Sequence, residues 1–240
     1  MKKIGISYTE TRFQNYWNWF TQDDLGDEIE LVELSFLKGN AEDFKICDGF
    51  VLTGGIDVLP EIYGEGDDYP HRPEQFLPER DRFEAELYRY SQQHQIPILG
   101  ICRGMQYINI LEGGKVFQDN GEAINEIHKK ETEDKQHKVG ILRDSLLYAI
   151  AETGQGDVNS AHHQSIDPQH LGKNLKVAAY SDTPDPLIEA LEFSNLTAKG
   201  FMMAVQWHPE RILNKESNPL SQKIKEHFIK AVKAYQNEHH

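Results

Sequence analysis

The sequence predicts an α/β protein with a mostly parallel central sheet covered by helices and an antiparallel extension near the C-terminal end. Two observations carry this expectation. Through the first half of the chain, short apolar runs of strand length alternate with stretches of helical pattern, the signature of parallel strands joined by helices. In the last third the apolar runs follow one another more closely, which suits antiparallel pairing.

Taken in order, Ile4-Gly5-Ile6 is a first buried strand, and Ile29 to Leu34 is a second, only partly alternating one. Gly49-Phe50-Val51-Leu52 is a compact apolar run that stops at the turn Thr53-Gly54-Gly55. Asp57 to Pro78 is rich in proline, glycine and acids and reads as a surface loop. Arg82 to His94 sets Phe83, Leu87 and Tyr90 on one helical face; Pro97 breaks it, and Ile98 to Ile101 follows as a strand. Met105 to Leu111 is a short helix closed by Gly113-Gly114. Gly121 to Lys138 is polar and charged and is expected to be a second surface excursion, with a short helix at Leu142 to Ile150. Strands are expected at Leu175 to Tyr180, Leu187 to Phe193 and Met202 to Trp207. A C-terminal helix spans Leu220 to Gln236, with Ile224, Phe228, Ala231 and Tyr235 as its apolar stripe.

With 240 residues, the chain is long enough for a large core without disulfide or metal support, and one domain over residues 1–240 is the default. Lysine and arginine total 25 against 39 acids, a net charge of −14. That excludes a general nucleic-acid binder and argues against anionic membrane surfaces. No apolar run approaches the roughly 18 residues of a spanning helix, and the start, Met1 to Ser7, lacks the apolar core of a signal peptide. Two cysteines, Cys47 and Cys102, cannot form a secreted disulfide framework. The expected location is therefore cytoplasmic, which makes the sequon Asn195-Leu196-Thr197 a chance match. His239-His240 is set aside as a tag remnant.

The sharpest chemical signal is Pro97-Ile98-Leu99-Gly100-Ile101-Cys102-Arg103-Gly104-Met105-Gln106. A strand runs through a glycine-flanked cysteine into a helix, the arrangement of a nucleophile elbow with cysteine in place of serine. Gly100 and Gly104 allow the tight turn, and a thiolate at Cys102 gains from the free N–H groups of the helix start. A buried cysteine in a glycine connection is the plainer alternative. Cys47, without such an elbow, reads as a core thiol. A thiol nucleophile needs a base and the base an orienting group. Gln206-Trp207-His208-Pro209-Glu210 offers both at a strand end: proline holds His208 extended, and Glu210 can accept the second imidazole N–H. For a developing oxyanion, the backbone N–H groups of Gly55 and Arg103 are the natural donors.

These residues together resemble a class I glutamine amidotransferase domain. Gly54-Gly55-Ile56-Asp57-Val58, Tyr63-Gly64-Glu65, Arg80-Asp81-Arg82-Phe83-Glu84 and Asn159-Ser160-Ala161-His162-His163-Gln164-Ser165 resemble its gamma-glutamyl hydrolase branch. The resemblance runs from about Gly49 to Glu210. It implies a flavodoxin-like sandwich with helices on both faces of the sheet, a triad of Cys102, His208 and Glu210, and no metal or organic cofactor. It also implies contacts to the glutamyl moiety from Gln106 and from the backbone around Ser165, with His163 as a further substrate-binding candidate. Two departures stand out. The region Tyr16 to Leu34 lacks the Ala-Gly-Gly-like turn usual in the branch, and Glu112 replaces an apolar residue before Gly113-Gly114.

Two further groups have competing explanations. The aromatic cluster Tyr16, Trp17, Trp19 and Phe20 fits helix packing better than a substrate wall. His128, His137, His162 and His163 do not match a structural zinc spacing and are expected as polar loop residues near the substrate. An adjacent pair such as His162-His163 points to opposite sides if extended. The leading functional expectation is a stand-alone hydrolase of a small gamma-glutamyl substrate, as a monomer or a homodimer. The alternative is a glutaminase subunit supplying ammonia to a separate synthetase.

Overall fold

The structure, a computed structural model, describes residues 1–22, 28–195 and 200–236. Leu196 and Thr197 of the sequon and His239-His240 lie outside the described residues.

The strands are β1 (Lys2–Ser7), β2 (Ile29–Leu34), β3 (Gly49–Leu52), β4 (Ile98–Ile101), β5 (Val116–Phe117), β6 (Lys135–Ile141), β7 (Gln155–Ser160), β8 (Ser165–Ile166), β9 (Leu175–Ser181), β10 (Ile188–Phe193) and β11 (Met202–Val205). The helices are α1 (Phe13–Thr21), α2 (Pro78–His94), α3 (Arg103–Leu111), α4 (Glu122–His128), α5 (Leu146–Ala151) and α6 (Gln222–Ala234). Nine strands form one mixed sheet in the order β2-β1-β3-β4-β11-β10-β9-β6-β7. The segment from β2 to β11 is parallel, and every pairing from β11 to β7 is antiparallel. The mostly parallel centre and its antiparallel extension therefore stand as expected. β5 and β8 make a separate two-stranded ribbon.

The central strands are continuous apolar runs because both sheet faces are covered. Val51, Leu99, Ile101, Met203 and Val205 pack with Tyr16, Trp19 and Phe20 of α1 and Ile224 and Phe228 of α6. Their neighbours Phe50, Leu52, Ile98, Met202 and Ala204 pack on the other face with Phe83 and Leu87 of α2 and Met105 and Ile108 of α3. Among the described residues, no helix is long and apolar enough to cross a membrane.

Two sequence expectations need correction. Gly121 to Lys138 is not simply a surface excursion: it contains α4 and the start of β6, where His137, Val139 and Ile141 alternate inward. The helix placed at Leu142 begins only at Leu146, because β6 runs to Ile141 and Ser145 caps the helix by accepting from the Tyr148 N–H. The aromatic cluster forms α1, whose Tyr16, Trp19 and Phe20 are buried, so core packing is its main use. The departure Glu112 is explained by its partners: it accepts from the Tyr88 hydroxyl at 2.7 Å and from Asn174.

Parallel pairing sends the C-terminal ends of β1, β3, β4 and β11 to one edge, the position where open α/β sheets form their sites. α3 reaches that edge by close contact with β3. A methyl group at Gly104 would collide with the Leu52 carbonyl, which is backbone and cannot yield. Gly104→Ala is therefore expected to lower stability by about 1–3 kcal/mol. Gly140→Ala, where a Cβ meets nothing within 4 Å, should leave it unchanged or raise it slightly. Thermal and denaturant unfolding of the two variants compares them directly; equal losses would show that the Leu52 contact is not the constraint.

Candidate active site

Cys102 connects β4 to α3 with φ 52° and ψ −107°. This conformation is unusual for a residue with a side chain. Its N–H donates to the Val205 carbonyl at 2.8 Å, and its own carbonyl accepts from Met105 at 3.0 Å, so the strand and the helix each fix one side of the turn. The thiol is thereby raised at the sheet edge above the first turn of α3.

His208 follows β11 and is buried. Its Nδ1 lies 2.9 Å from Glu210 Oε1, which leaves Nε2 free to face the neighbouring Cys102 thiol, whose charge acts on the ring. Asn159 clamps the backbone on both sides: its Oδ1 accepts from the His208 N–H at 2.9 Å, and its Nδ2 donates to the His208 carbonyl at 3.1 Å. The segment is also tied to the core. Trp207 Nε1 donates to the Leu220 carbonyl, while Trp19 Nε1 donates to Ser221 Oγ, which donates to the Pro209 carbonyl.

Charge in this group is strongly coupled. Burial would suppress the His208 imidazolium, but Glu210 and Cys102 outweigh it and raise the pKa to about 9. Burial would raise the Cys102 thiol, but the adjacent His208, with smaller help from His162 and Arg211, brings it below its ordinary value. The arrangement favours a thiolate–imidazolium pair. Cys47 is the opposite case: burial, with Asp43 and Asp48 nearby, pushes its thiol up to about 12.

Tyr16 was not singled out by the sequence as a site residue. Its hydroxyl accepts from the Gly54 N–H at 3.0 Å and lies 3.4 Å from His208 Nδ1. Burial, then Glu210 and Cys102, raise its pKa well above the usual phenol value, so it stays neutral. The only sequence signal was the aromatic cluster, which gave no reason to choose one ring over another. Gly54 packs so closely that a Cβ there would stand 2.8 Å from both His208 Cε1 and the Tyr16 hydroxyl. With the Gly54 N–H bound to Tyr16, the N–H groups of Gly55 and Arg103 have no hydrogen bond among the described residues.

A buried ionic network braces this edge. The Arg80 guanidinium donates to Glu84, to Thr9 Oγ1 and to the Thr53 and Gly54 carbonyls. The Arg103 guanidinium pairs with Asp81 and Glu84, and Glu84 also accepts from Ser7 at 2.8 Å. Thus α2 holds the exits of β1 and β3 and the first residue of α3.

Gln106 is buried on α3 and donates to the Gln164 carbonyl and to Gln206 Oε1, both at 3.2 Å. Gln206 Nε2 in turn lies 3.5 Å from Cys102 Sγ. Gln106 is thus joined to the cysteine group through Gln206, a residue noted in the sequence only as part of its motif. His163 and Ser165 are not joined to it directly. His163 lies 3.1 Å from Asp57 and 3.2 Å from Asp119 and stacks on Tyr69. The Ser165 hydroxyl donates to Asn120 at 2.6 Å, and its backbone belongs to the β5–β8 ribbon. Tyr69 also donates to Asp57 at 2.9 Å, so the loop between β3 and α2 is fastened over this side. His162 points away from His163, as an extended pair should. With His128 and His137 it is buried rather than part of an exposed polar loop.

Residues 40–210 match the family model described as Peptidase C26. The chain is 32% identical over 213 residues to the glutamine amidotransferase-like protein YvdE of Lactococcus lactis, covering 85% of this chain and 81% of that one. It is also 32% identical over 194 residues to gamma-glutamyl-gamma-aminobutyrate hydrolase of Escherichia coli, covering 77% and 71%. Among solved structures, a glutamine amidotransferase from Thermotoga maritima superimposes with TM-score 0.60 at 16% identity over 97% of this chain and 93% of that one. The sandwich is therefore flavodoxin-like, as the sequence motifs implied.

The coupled charges predict a measurable contrast between the two cysteines. Alkylation by iodoacetamide should label Cys102 with a pH midpoint below the ordinary thiol value of about 8.5. Cys47 should stay unlabelled at neutral pH in the folded protein. Because His208 supplies the shift, His208→Ala should move the Cys102 midpoint upward. Peptide mapping after timed alkylation reads both sites, and an unshifted midpoint for wild-type Cys102 would remove the ion pair.

Proposed function

The chain belongs to the peptidase C26 family, and from that premise we propose that it is a stand-alone cysteine hydrolase of short gamma-glutamyl amides. The observation that carries the reading is the His208–Glu210 pair at 2.9 Å beside Cys102, whose thiol and imidazole hold each other's charged forms. Cys102 attacks the amide carbon, and the carbonyl oxygen becomes an oxyanion facing the Gly55 and Arg103 N–H groups. Each such donor is worth about 10²–10³ in rate. The His208 imidazolium gives its proton to the departing amine, leaving a gamma-glutamyl thioester on Cys102. Neutral His208 then takes a proton from water, and the hydroxide releases glutamate and the free thiol. Glu210 holds the imidazole by Nδ1 throughout.

Gln106, Gln206 and the Gln164 carbonyl offer polar groups beside the thiol for the glutamyl end. The relative from Escherichia coli, which acts on a gamma-glutamyl amide of gamma-aminobutyrate by its name, supports a small amine on the other side. The fastened loop bearing Tyr69 supports hydrolysis without a partner, since it can exclude water and hold the amide unaided. The net charge of −14 disfavours poly-gamma-glutamyl tails, whose carboxylates would be repelled.

Purified protein alone is expected to release free glutamate from a panel that includes gamma-glutamyl-gamma-aminobutyrate, read by mass spectrometry. Hydrolysis of glutamine only when another protein is added would instead favour the glutaminase subunit. Cys102→Ser should abolish turnover. His208→Ala should lose about 10²–10⁴-fold, more than Glu210→Gln, which removes only orientation and charge. Turnover should also decline above about pH 9, where His208 loses the proton it gives to the amine. Retained activity in Cys102→Ser would reject the nucleophile.

A further inference from the structure

Behind the thiol lies a second, fully interior group that the proposed hydrolysis does not use. His128 ends α4, His137 lies on β6, His162 follows β7 and Glu189 lies on β10. Their exposures are 0%, 8%, 4% and 0%. One ligating atom from each lies within 4.8 Å of every other. Glu189 Oε1 is 3.6 Å from His137 Nε2, 3.6 Å from His162 Nε2 and 3.7 Å from His128 Nδ1. Those separations are too long for hydrogen bonds.

The outer nitrogens fix the tautomers. His137 Nδ1 meets the Lys138 carbonyl at 3.0 Å and His162 Nδ1 the Gln164 carbonyl at 2.9 Å. A carbonyl only accepts, so both Nδ1 atoms carry the proton. His128 Nδ1 meets Ser160 Oγ at 3.2 Å, and that hydroxyl spends its own proton on the His128 carbonyl. All three rings, when neutral, therefore have their Nε2 lone pair unspent. Among the described residues none of the three Nε2 atoms, and neither oxygen of Glu189, has a hydrogen-bond partner. An unserved buried acceptor is costly, because it has given up water without gaining a partner.

We propose that His128, His137, His162 and Glu189 bind a divalent transition-metal cation of the zinc class. Three imidazoles and a carboxylate are a borderline-soft donor set suited to zinc. For bonds of about 2.0–2.1 Å a tetrahedron has edges of about 3.4 Å, and the observed 3.6 Å separations need little contraction. The His128 nitrogen nearest to Glu189 is Nδ1, so His128 joins through Nδ1 after releasing Ser160 and passing its proton to Nε2, or through Nε2 after the ring turns over. The Nδ1–H···O bonds are the outer contacts that orient metal-bound histidines. A proton is the rival occupant: His162 as imidazolium would neutralise Glu189. One proton, however, serves one nitrogen and one oxygen and leaves the remaining lone pairs unserved.

With four protein ligands the site is closed, so the cation is structural and activates no water. It ties α4, β6, the β7–β8 connection and β10 together. Its reach extends to the cysteine group, because the Gln164 carbonyl that accepts from His162 also accepts from Gln106. The spacing that argued against zinc in the sequence was a local criterion; here the ligands come from four separate elements.

Protein prepared without metal-affinity steps and dialysed against zinc should hold about one tightly bound equivalent per chain by plasma mass spectrometry. Cobalt replacement should give the intense visible bands of a tetrahedral site, and chelation should lower the melting temperature. Glu189→Gln, which keeps the shape, and His137→Ala should weaken zinc binding by at least 10–100-fold, whereas Cys102→Ser should retain the metal. No tight zinc in the wild type, with no change in melting temperature on adding it, would overturn the site. So would zinc held equally by the doubly substituted Glu189→Gln, His137→Ala protein, which would place it elsewhere, for example on His71, Asp119 and His163. None of these measurements depends on hydrolytic activity.

Discussion

The conformation of Cys102 is the constraint on which the site depends. At φ 52° and ψ −107° the residue sits in a sparsely populated region that costs about 1–3 kcal/mol. Such a turn persists only when its surroundings over-determine it. Here they do: β11 takes the Cys102 N–H, α3 begins at once, and Gly104 lets the helix press against the Leu52 carbonyl. A relaxed turn would swing the thiol away from His208. The two flanking glycines are thus part of the geometry that aims the sulfur.

The second requirement is that four chain segments arrive at the same place. The buried network of Arg80, Asp81, Glu84 and Arg103 meets it by linking α2 to β1, β3 and α3. Such a network need not stabilise the fold against an apolar equivalent of similar volume, since desolvating the charges is expensive. What it supplies is register. Arg80 can donate to the Thr53 and Gly54 carbonyls together only if the Gly54-Gly55 turn is in position, and that turn presents the free Gly55 N–H. On the opposite face, α1 acts similarly through Tyr16, which binds both the Gly54 N–H and His208. The N-terminal region that departs from the usual branch pattern is therefore built into the site.

How much of this was legible follows from the range over which each signal acts. The elbow and the His208–Glu210 pair were readable because their chemistry is local: glycines two residues from the cysteine, and a carboxylate two residues from the histidine. The central strands were readable because burial on both faces leaves them apolar throughout. β6 and β7 were missed because Lys135–Ile141 and Gln155–Ser160 end the sheet and are rich in polar residues, alternating with buried ones in β6 and themselves buried, as Asn159 and Ser160, in β7. Tyr16 was missed because its role depends on α1 packing against a segment nearly 200 residues away. The same limit hid the grouping of His128, His137 and His162 around Glu189. Spacing along the chain says nothing about residues contributed singly by different strands and helices.

A chain with net charge −14 favours a thiolate at Cys102 because the relevant field is local. Exposed carboxylates act across water and are screened beyond about 8–10 Å. Three acids of this edge are already paired: Glu210 faces His208, while Asp81 and Glu84 face Arg103. What remains unbalanced towards the sulfur is positive, from His208 with lesser contributions from His162 and Arg211, together with the free N–H groups at the start of α3. The outer negative charge can then repel polyanionic ligands without raising the thiol. In the proposed hydrolysis, selectivity and nucleophilicity would then be set at different distances from the same atom.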